Sequence, residues 1–156
     1  MRLISVALFL LPLVGCHNPN QRAGESERDT DAEETPLQMS VVSAGGAHTC
    51  GIASNGTIDC WGQNDRGQAT APLGAFMSVS AGGEHTCGIA GGGIVECWGA
   101  DADGRSSPPF GSFSSVSAGL EHTCGLLNSG SVECWGSDEQ GQSTPPTGSF
   151  TSISAG

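Results

Sequence analysis

The chain has 156 residues and a formal charge of −11, with five basic side chains, all arginine, against sixteen acidic ones. That length allows one domain plus a tail. Nucleic-acid binding is excluded on charge, because replacing phosphate counterions takes Lys and Arg in number, and a chain without lysine offers neither P-loop nor Schiff-base chemistry.

Residues 1–15 read as an export signal: Arg2 supplies a small positive charge, and Leu3 to Val14 form an apolar run that ends in Gly15-Cys16. The run is too short for a membrane-spanning helix. A small residue followed directly by cysteine resembles a bacterial lipobox, which implies that Cys16 becomes the mature N-terminus and carries a lipid. His17 gives no aspartate-type retention cue, so the expected address is the cell envelope, at the outer membrane or cell surface rather than the inner membrane. The following segment, to residue 38, holds six acidic residues among Asn, Gln, Ser, Gly and Pro. It lacks the apolar surface to offset chain entropy, and reads as an acidic, disordered tether.

From residue 39 onward the chain repeats itself at a period of 37 residues without insertion. Ser43-Ala44-Gly45 recurs at Ser80, Ser117 and Ser154; His48-Thr49-Cys50-Gly51 recurs at His85 and His122; Cys60-Trp61-Gly62 recurs at Cys97 and Cys134. Phe76, Phe113 and Phe150 keep the same step. Three repeats follow, at about 43–79, 80–116 and 117–153, with the opening strand of a fourth.

Each copy predicts short strands and tight turns. In the second, a strand near Met77 to Ala81 leads through Gly82-Gly83 into a strand over His85 to Ala90, and a third strand covers Ile94 to Gly99. Between the second and third strands stand Ser54-Asn55-Gly56, Gly91-Gly92-Gly93 and Asn128-Ser129-Gly130 in the three copies. Asn-Gly between apolar runs is a strong hairpin signal, because Gly adopts positive φ freely. No window has helical periodicity. The fold class is all-β.

These motifs, with Gly67-Gln68 and Gly141-Gln142 in the loops, resemble regulator-of-chromosome-condensation repeats, whose blades build a seven-bladed β-propeller. The paired cysteines are similar to those of an exported bacterial branch. The second copy departs with Gly104-Arg105, which predicts a differently shaped loop there. Three blades predict an open arc, a partial β-propeller of about three short-stranded blades with exposed end faces. Such an arc either self-associates through its open edges or is a truncated propeller.

Seven cysteines are awkward in an exported protein. Setting Cys16 aside leaves three pairs, each ten residues apart across a hairpin turn. A three-residue loop puts residue 50 opposite residue 60, within disulfide reach. The expected bridges are Cys50–Cys60, Cys87–Cys97 and Cys124–Cys134. A zinc reading that recruits His48, His85 and His122 is weaker, since each copy offers three ligands rather than four. The histidines read instead as buried hydrogen-bonding groups at blade contacts, and Trp61, Trp98 and Trp135 as core packing. Asp101, Asp103, Asp138 and Glu139 lack the ligand spacing of a calcium loop. No catalytic constellation, metal or cofactor is expected, and no G-x-S-x-G elbow occurs.

The function expected is therefore that of a lipid-anchored, non-enzymatic binding module, presenting repeat loops to a protein or envelope polymer, with the membrane reached through the lipid alone. The resemblance implies protein recognition, including inhibition of an exported enzyme as one form of it; the export signal and acidic surface argue against carrying over the nuclear exchange role. A vestigial fragment without a specific partner is the alternative.

Overall fold

The computed structural model describes residues 38–156; the signal segment, Cys16 and nearly all of the tether lie outside the described residues. Among the described residues, nine strands form three antiparallel sheets of three. Blade 1 contains β1 (Met39–Ala44), β2 (His48–Ala53) and β3 (Ile58–Gly62). Blade 2 contains β4 (Phe76–Ala81), β5 (His85–Ala90) and β6 (Val95–Gly99). Blade 3 contains β7 (Phe113–Ala118), β8 (His122–Leu127) and β9 (Val132–Gly136). The strands are consecutive in each sheet, as expected of hairpins joined by short turns, and the architecture is an open, three-blade stretch of propeller.

The turn chemistry sets the register. In blade 1 the amide of Gly56 donates to the Ala53 carbonyl at 2.9 Å, with Gly56 at φ +86°. That conformation strains any residue with a Cβ, and it brings Cys50 opposite Cys60. Blades 2 and 3 repeat the arrangement, with Cys87 opposite Cys97 and Cys124 opposite Cys134. The only helical pieces among the described residues are two three-residue 3-10 turns, Gly91–Gly93 and Ala102–Gly104.

The core lies between blades. Cys87, Ile89 and Val95 of blade 2 pack on Phe113, Val116 and Trp135 of blade 3. Cys50 and Ile52 of blade 1 pack in the same way on Phe76, Val79 and Trp98 of blade 2. Phe76 meets Trp98, and Phe113 meets Trp135, with ring centroids 6.1 Å apart and planes inclined at 60°, a tilted geometry that aromatic quadrupoles favour. The central strand of blade 2 is covered on both sides, by blades 1 and 3. Consequently β5 buries five consecutive residues, His85 to Ile89, with no in-and-out alternation.

One expectation needs correction. Residues 150–156 form no strand, because no second strand lies beside them among the described residues; they are held to blade 3 by the Phe150 amide on the Gly130 carbonyl and the Ala155 amide on Ser117 Oγ. As expected, the loop carrying Gly104-Arg105 is shaped differently: it shares the bonds of Gly104 to Asp101 and Ser107 to Gly104 with its counterparts, but the Arg105 amide also donates to the Ala102 carbonyl at 3.3 Å in a 3-10 turn, with Asp103 at φ +60°. The side chains differ too. Gln68 Oε1 accepts from the Arg66 amide, whereas Arg105 turns its guanidinium Nε to the Ala102 carbonyl at 2.9 Å.

Candidate interaction surface

A binding surface made of loops needs rigid seams beneath it. At the first seam, His48 Nε2 lies 2.7 Å from Thr86 Oγ1, and the threonine hydroxyl donates to the Gln68 carbonyl at 3.0 Å. A hydroxyl has one proton. Since Thr86 spends it on the carbonyl, it accepts from His48, which fixes the imidazole as the neutral Nε2–H tautomer. The second seam is built identically: His85 Nε2 on Thr123 Oγ1 at 2.7 Å, and Thr123 on the Arg105 carbonyl at 3.2 Å. The same two carbonyls accept a second proton, from Trp98 Nε1 at 2.9 Å and from Trp135 Nε1 at 3.0 Å. Each loop carbonyl therefore ties together a histidine of one blade, through threonine, and a tryptophan of the next.

These seams are closed off from the surface. Thr86, Thr123 and His85 have no exposed surface, and the Nδ1 atoms of His48 and His85 have no partner. Burial pushes the His48 imidazole below its ordinary range. The His85 imidazole is lowered to about 4, first by burial and then by the Arg105 guanidinium, with smaller contributions from His48 and His122 that outweigh the opposing Asp101 carboxylate. Glycine permits the close approach: a Cβ on Gly82 would run into both the Gly119 carbonyl and the His85 ring.

The repeated side chains are not equivalent across blades. His122 is partly exposed, and among the described residues no threonine faces it from a following blade. Trp61 is 50% exposed, unlike Trp98 and Trp135, because the described residues place no blade against its outer side. Core packing therefore describes Trp98 and Trp135 but not Trp61. Thr86, Thr123 and the Gln68 and Arg105 carbonyls are the partners that composition alone did not single out; the signal was the invariant threonine after each histidine.

The cysteine pairs are placed as disulfides, with S–S distances of 2.11, 2.07 and 2.05 Å for Cys50–Cys60, Cys87–Cys97 and Cys124–Cys134. Bridged sulfur is no thiolate, so the zinc reading loses its ligands, and no group of three metal-ligating side chains occurs among the described residues. The loop acids have structural tasks instead. Asp101 accepts from the Ser106 amide and the Ser107 hydroxyl, both at 2.8 Å; Asp138 accepts from the Ser143 amide and the Thr144 hydroxyl, also at 2.8 Å.

The array has two chemically different ends. At one, the first turn of each blade meets the loop after its third strand, as the Gln63, Ala100 and Ser137 amides donate to the carbonyls of Ala47, Glu84 and Glu121. This end bears Asp65, Asp101, Asp103, Asp138 and Glu139 on loops and Glu84 and Glu121 on turns. Against these stand the two arginines of the described residues, both already approached by carboxylates. Arg66 Nε is 3.9 Å from Glu84, and the buried Arg105 Nη2 is 3.7 Å from Asp103 and 3.9 Å from Glu121. At the other end, the hairpin turn of one blade meets the approach to the next, with the Phe76 amide on the Gly56 carbonyl and Ser112 Oγ on the Gly92 carbonyl, both at 2.8 Å.

The Regulator of chromosome condensation (RCC1) repeat model matches residues 40–68 and 113–142, in blades 1 and 3. No curated protein matches the chain. Among solved structures, the CRINKLY WD40 ectodomain of the Arabidopsis thaliana receptor kinase ACR4 is similar at 29% identity and a TM-score of 0.65, over 77% of this chain and 44% of that one. The ectodomain of the Physcomitrella patens receptor kinase CR4 is similar at 30% identity and a TM-score of 0.64, over 77% of this chain and 36% of that one. Yeast RCC1 (Prp20), solved with Kap60 bound, shares the fold at 15% identity and a TM-score of 0.59, over 72% of this chain and 35% of that one. The chain thus spans less than half the length of these relatives.

Proposed function

Because this chain carries RCC1 repeats folded as propeller blades, we propose that it is an exported, lipid-anchored binding module whose charged end recognises a partner protein. The observation that carries this reading is a division of labour at the two seams. His48, His85, Thr86, Thr123, Trp98 and Trp135 are consumed there, while Asp65, Asp101 and Asp103, on the loops between β3 and β4 and between β6 and β7, stay exposed. A rigid seam under a loop lowers the ordering cost of binding. Seven carboxylates beside two arginines that are already engaged favour a partner face rich in Lys and Arg, for which complementary charge gives rate and selectivity.

Export is supported by the three intrachain disulfides, which suit an oxidising compartment, and the likeness to plant receptor ectodomains is in keeping with display outside the cell. No helix among the described residues is long and apolar enough to cross a membrane; the attachment proposed is the lipid expected at Cys16. The test places a photo-crosslinking residue at Asp65 or Glu139, and a control at Thr147 on the opposite end, in the intact chain within its own cell envelope. The reading expects one protein adduct from the first two sites and none from the third. Equal labelling from both ends, or none from either, would contradict it, as would a Cys16→Ser chain that still fractionates with membranes after signal removal.

A further inference from the structure

The end of the array opposite the acidic loops has no part in that recognition, and its chemistry is unusual. It comprises the hairpin turns at 53–57, 90–94 and 127–131 and the lead-in segments at 71–77, 108–114 and 145–151, none of which contains a charged residue. It carries Leu73 and Phe110, at 102% and 107% of full exposure, and also the exposed Met77 and Ile94, at 63% and 57%. Leu73 and Phe110 occupy the same repeat position, each between proline and glycine; Thr147 stands there in the third copy. Neither side chain is covered by any described residue.

We infer that this uncharged end rests on the lipid bilayer, with Leu73 and Phe110 immersed at the boundary between headgroups and acyl chains. The inference rests on the Cys16 anchor proposed above and goes beyond it by assigning the protein's own surface a membrane contact and an orientation. Three observations favour lipid over a protein partner. The chain joins blade 1 at this end, where the Gln38 carbonyl accepts from the Ser54 amide at 3.0 Å, so a tether running back to a lipid leaves from the side that would face the bilayer. Immersing this end takes no charge out of water, whereas the opposite end would bring seven carboxylates against headgroups. The projecting groups are an aliphatic and an aromatic side chain on short, proline-stiffened loops, which lose little conformational freedom on insertion and gain by burying apolar area. The outcome is a fixed pose, with the acidic loops directed away from the membrane.

The test uses the lipidated full-length protein floated with phosphatidylcholine vesicles whose acyl chains do or do not carry bromine, a short-range quencher of indole. Tryptophan is introduced singly as Leu73→Trp, Phe110→Trp or Glu139→Trp, and the emission of the unsubstituted protein is subtracted. The expected result is at least twofold quenching of the indoles at 73 and 110 by brominated lipid, with protection from aqueous iodide, and no bromine effect at 139. A protein that floats but shows indoles at 73 and 110 quenched by iodide and indifferent to bromine overturns the bilayer pose while leaving the anchor standing. Shielding of those indoles only after envelope protein is added assigns the end to a protein and likewise overturns it. A chain that does not float at all overturns both.

Discussion

Acidification should loosen the blade seams, and the size of the effect follows from His85. Its imidazole is buried, donates through Nε2 to Thr123 and has no acceptor at Nδ1. A second proton would thus be a buried, unpaired charge. In the unfolded chain the group titrates near 6.5 and in the folded protein near 4. Between those values the unfolded state binds more protons, so stability is complete above the unfolded value and declines as the pH falls toward the folded one. A shift from 6.5 to about 4 corresponds to about 3 kcal/mol in total, of which about 2 kcal/mol is lost by about pH 5. His48 shifts in the same direction and adds to the loss. Guanidinium unfolding of the oxidised protein, followed by tryptophan fluorescence at about pH 7.5 and about pH 5, reads this directly. The His48→Gln/His85→Gln protein keeps an amide donor for each threonine but removes the titration, and its stability should change much less over the same interval. Stability that holds or rises on acidification, or an equal loss in the glutamine variant, would refute the reasoning.

The remaining predictions concern single elements. Replacing Cys87 and Cys97 together by serine opens a loop of ten residues' separation and should cost about 2–3 kcal/mol, seen as a lower denaturation midpoint that reductant no longer changes in that blade. Trp98→Phe removes the indole donor on the Gln68 carbonyl and should cost about 1 kcal/mol, whereas Trp61→Phe, at a half-exposed site, should lie within about 0.5 kcal/mol of the parent. Asp138→Ala breaks two hydrogen bonds that close the loop and should lower stability by about 1 kcal/mol, with no recovery on adding calcium, as a differential scan with and without the ion would show.

Much of the fold is readable in the sequence because its rules are local. An Asn-Gly or triple-glycine turn fixes which residues face each other, so the opposition of Cys50 and Cys60 follows from counting. The seams are different. His48 and Thr86 are 38 residues apart, and no local rule states that a histidine of one blade reaches the threonine of the next; the repeat shows only that both recur. The repeat also hides inequality. Trp61 and Trp98 are identical in motif, yet one is half-exposed and the other bonded, because their environments come from neighbouring blades. Arg105 breaks the Gly-Gln pattern, and the loop answers locally: the Asp101 and Gly104 bonds persist, while Asp103 turns to φ +60° and the Arg105 amide reaches the Ala102 carbonyl. The segregation of charge to one end was legible, every loop acid falling in the stretches after the third strands or in the first turns, but its meaning required knowing which turns share an end.

The seams can be tested most directly by NMR of the histidine rings in the oxidised, full-length protein at about neutral pH. The account predicts that His48 and His85 are each a single neutral tautomer protonated at Nε2, with those ring protons close to the methyl groups of Thr86 and Thr123 across the blade boundary. Rings that exchange freely between tautomers and titrate near 6.5, the ordinary value, with no contact to either threonine, would contradict it.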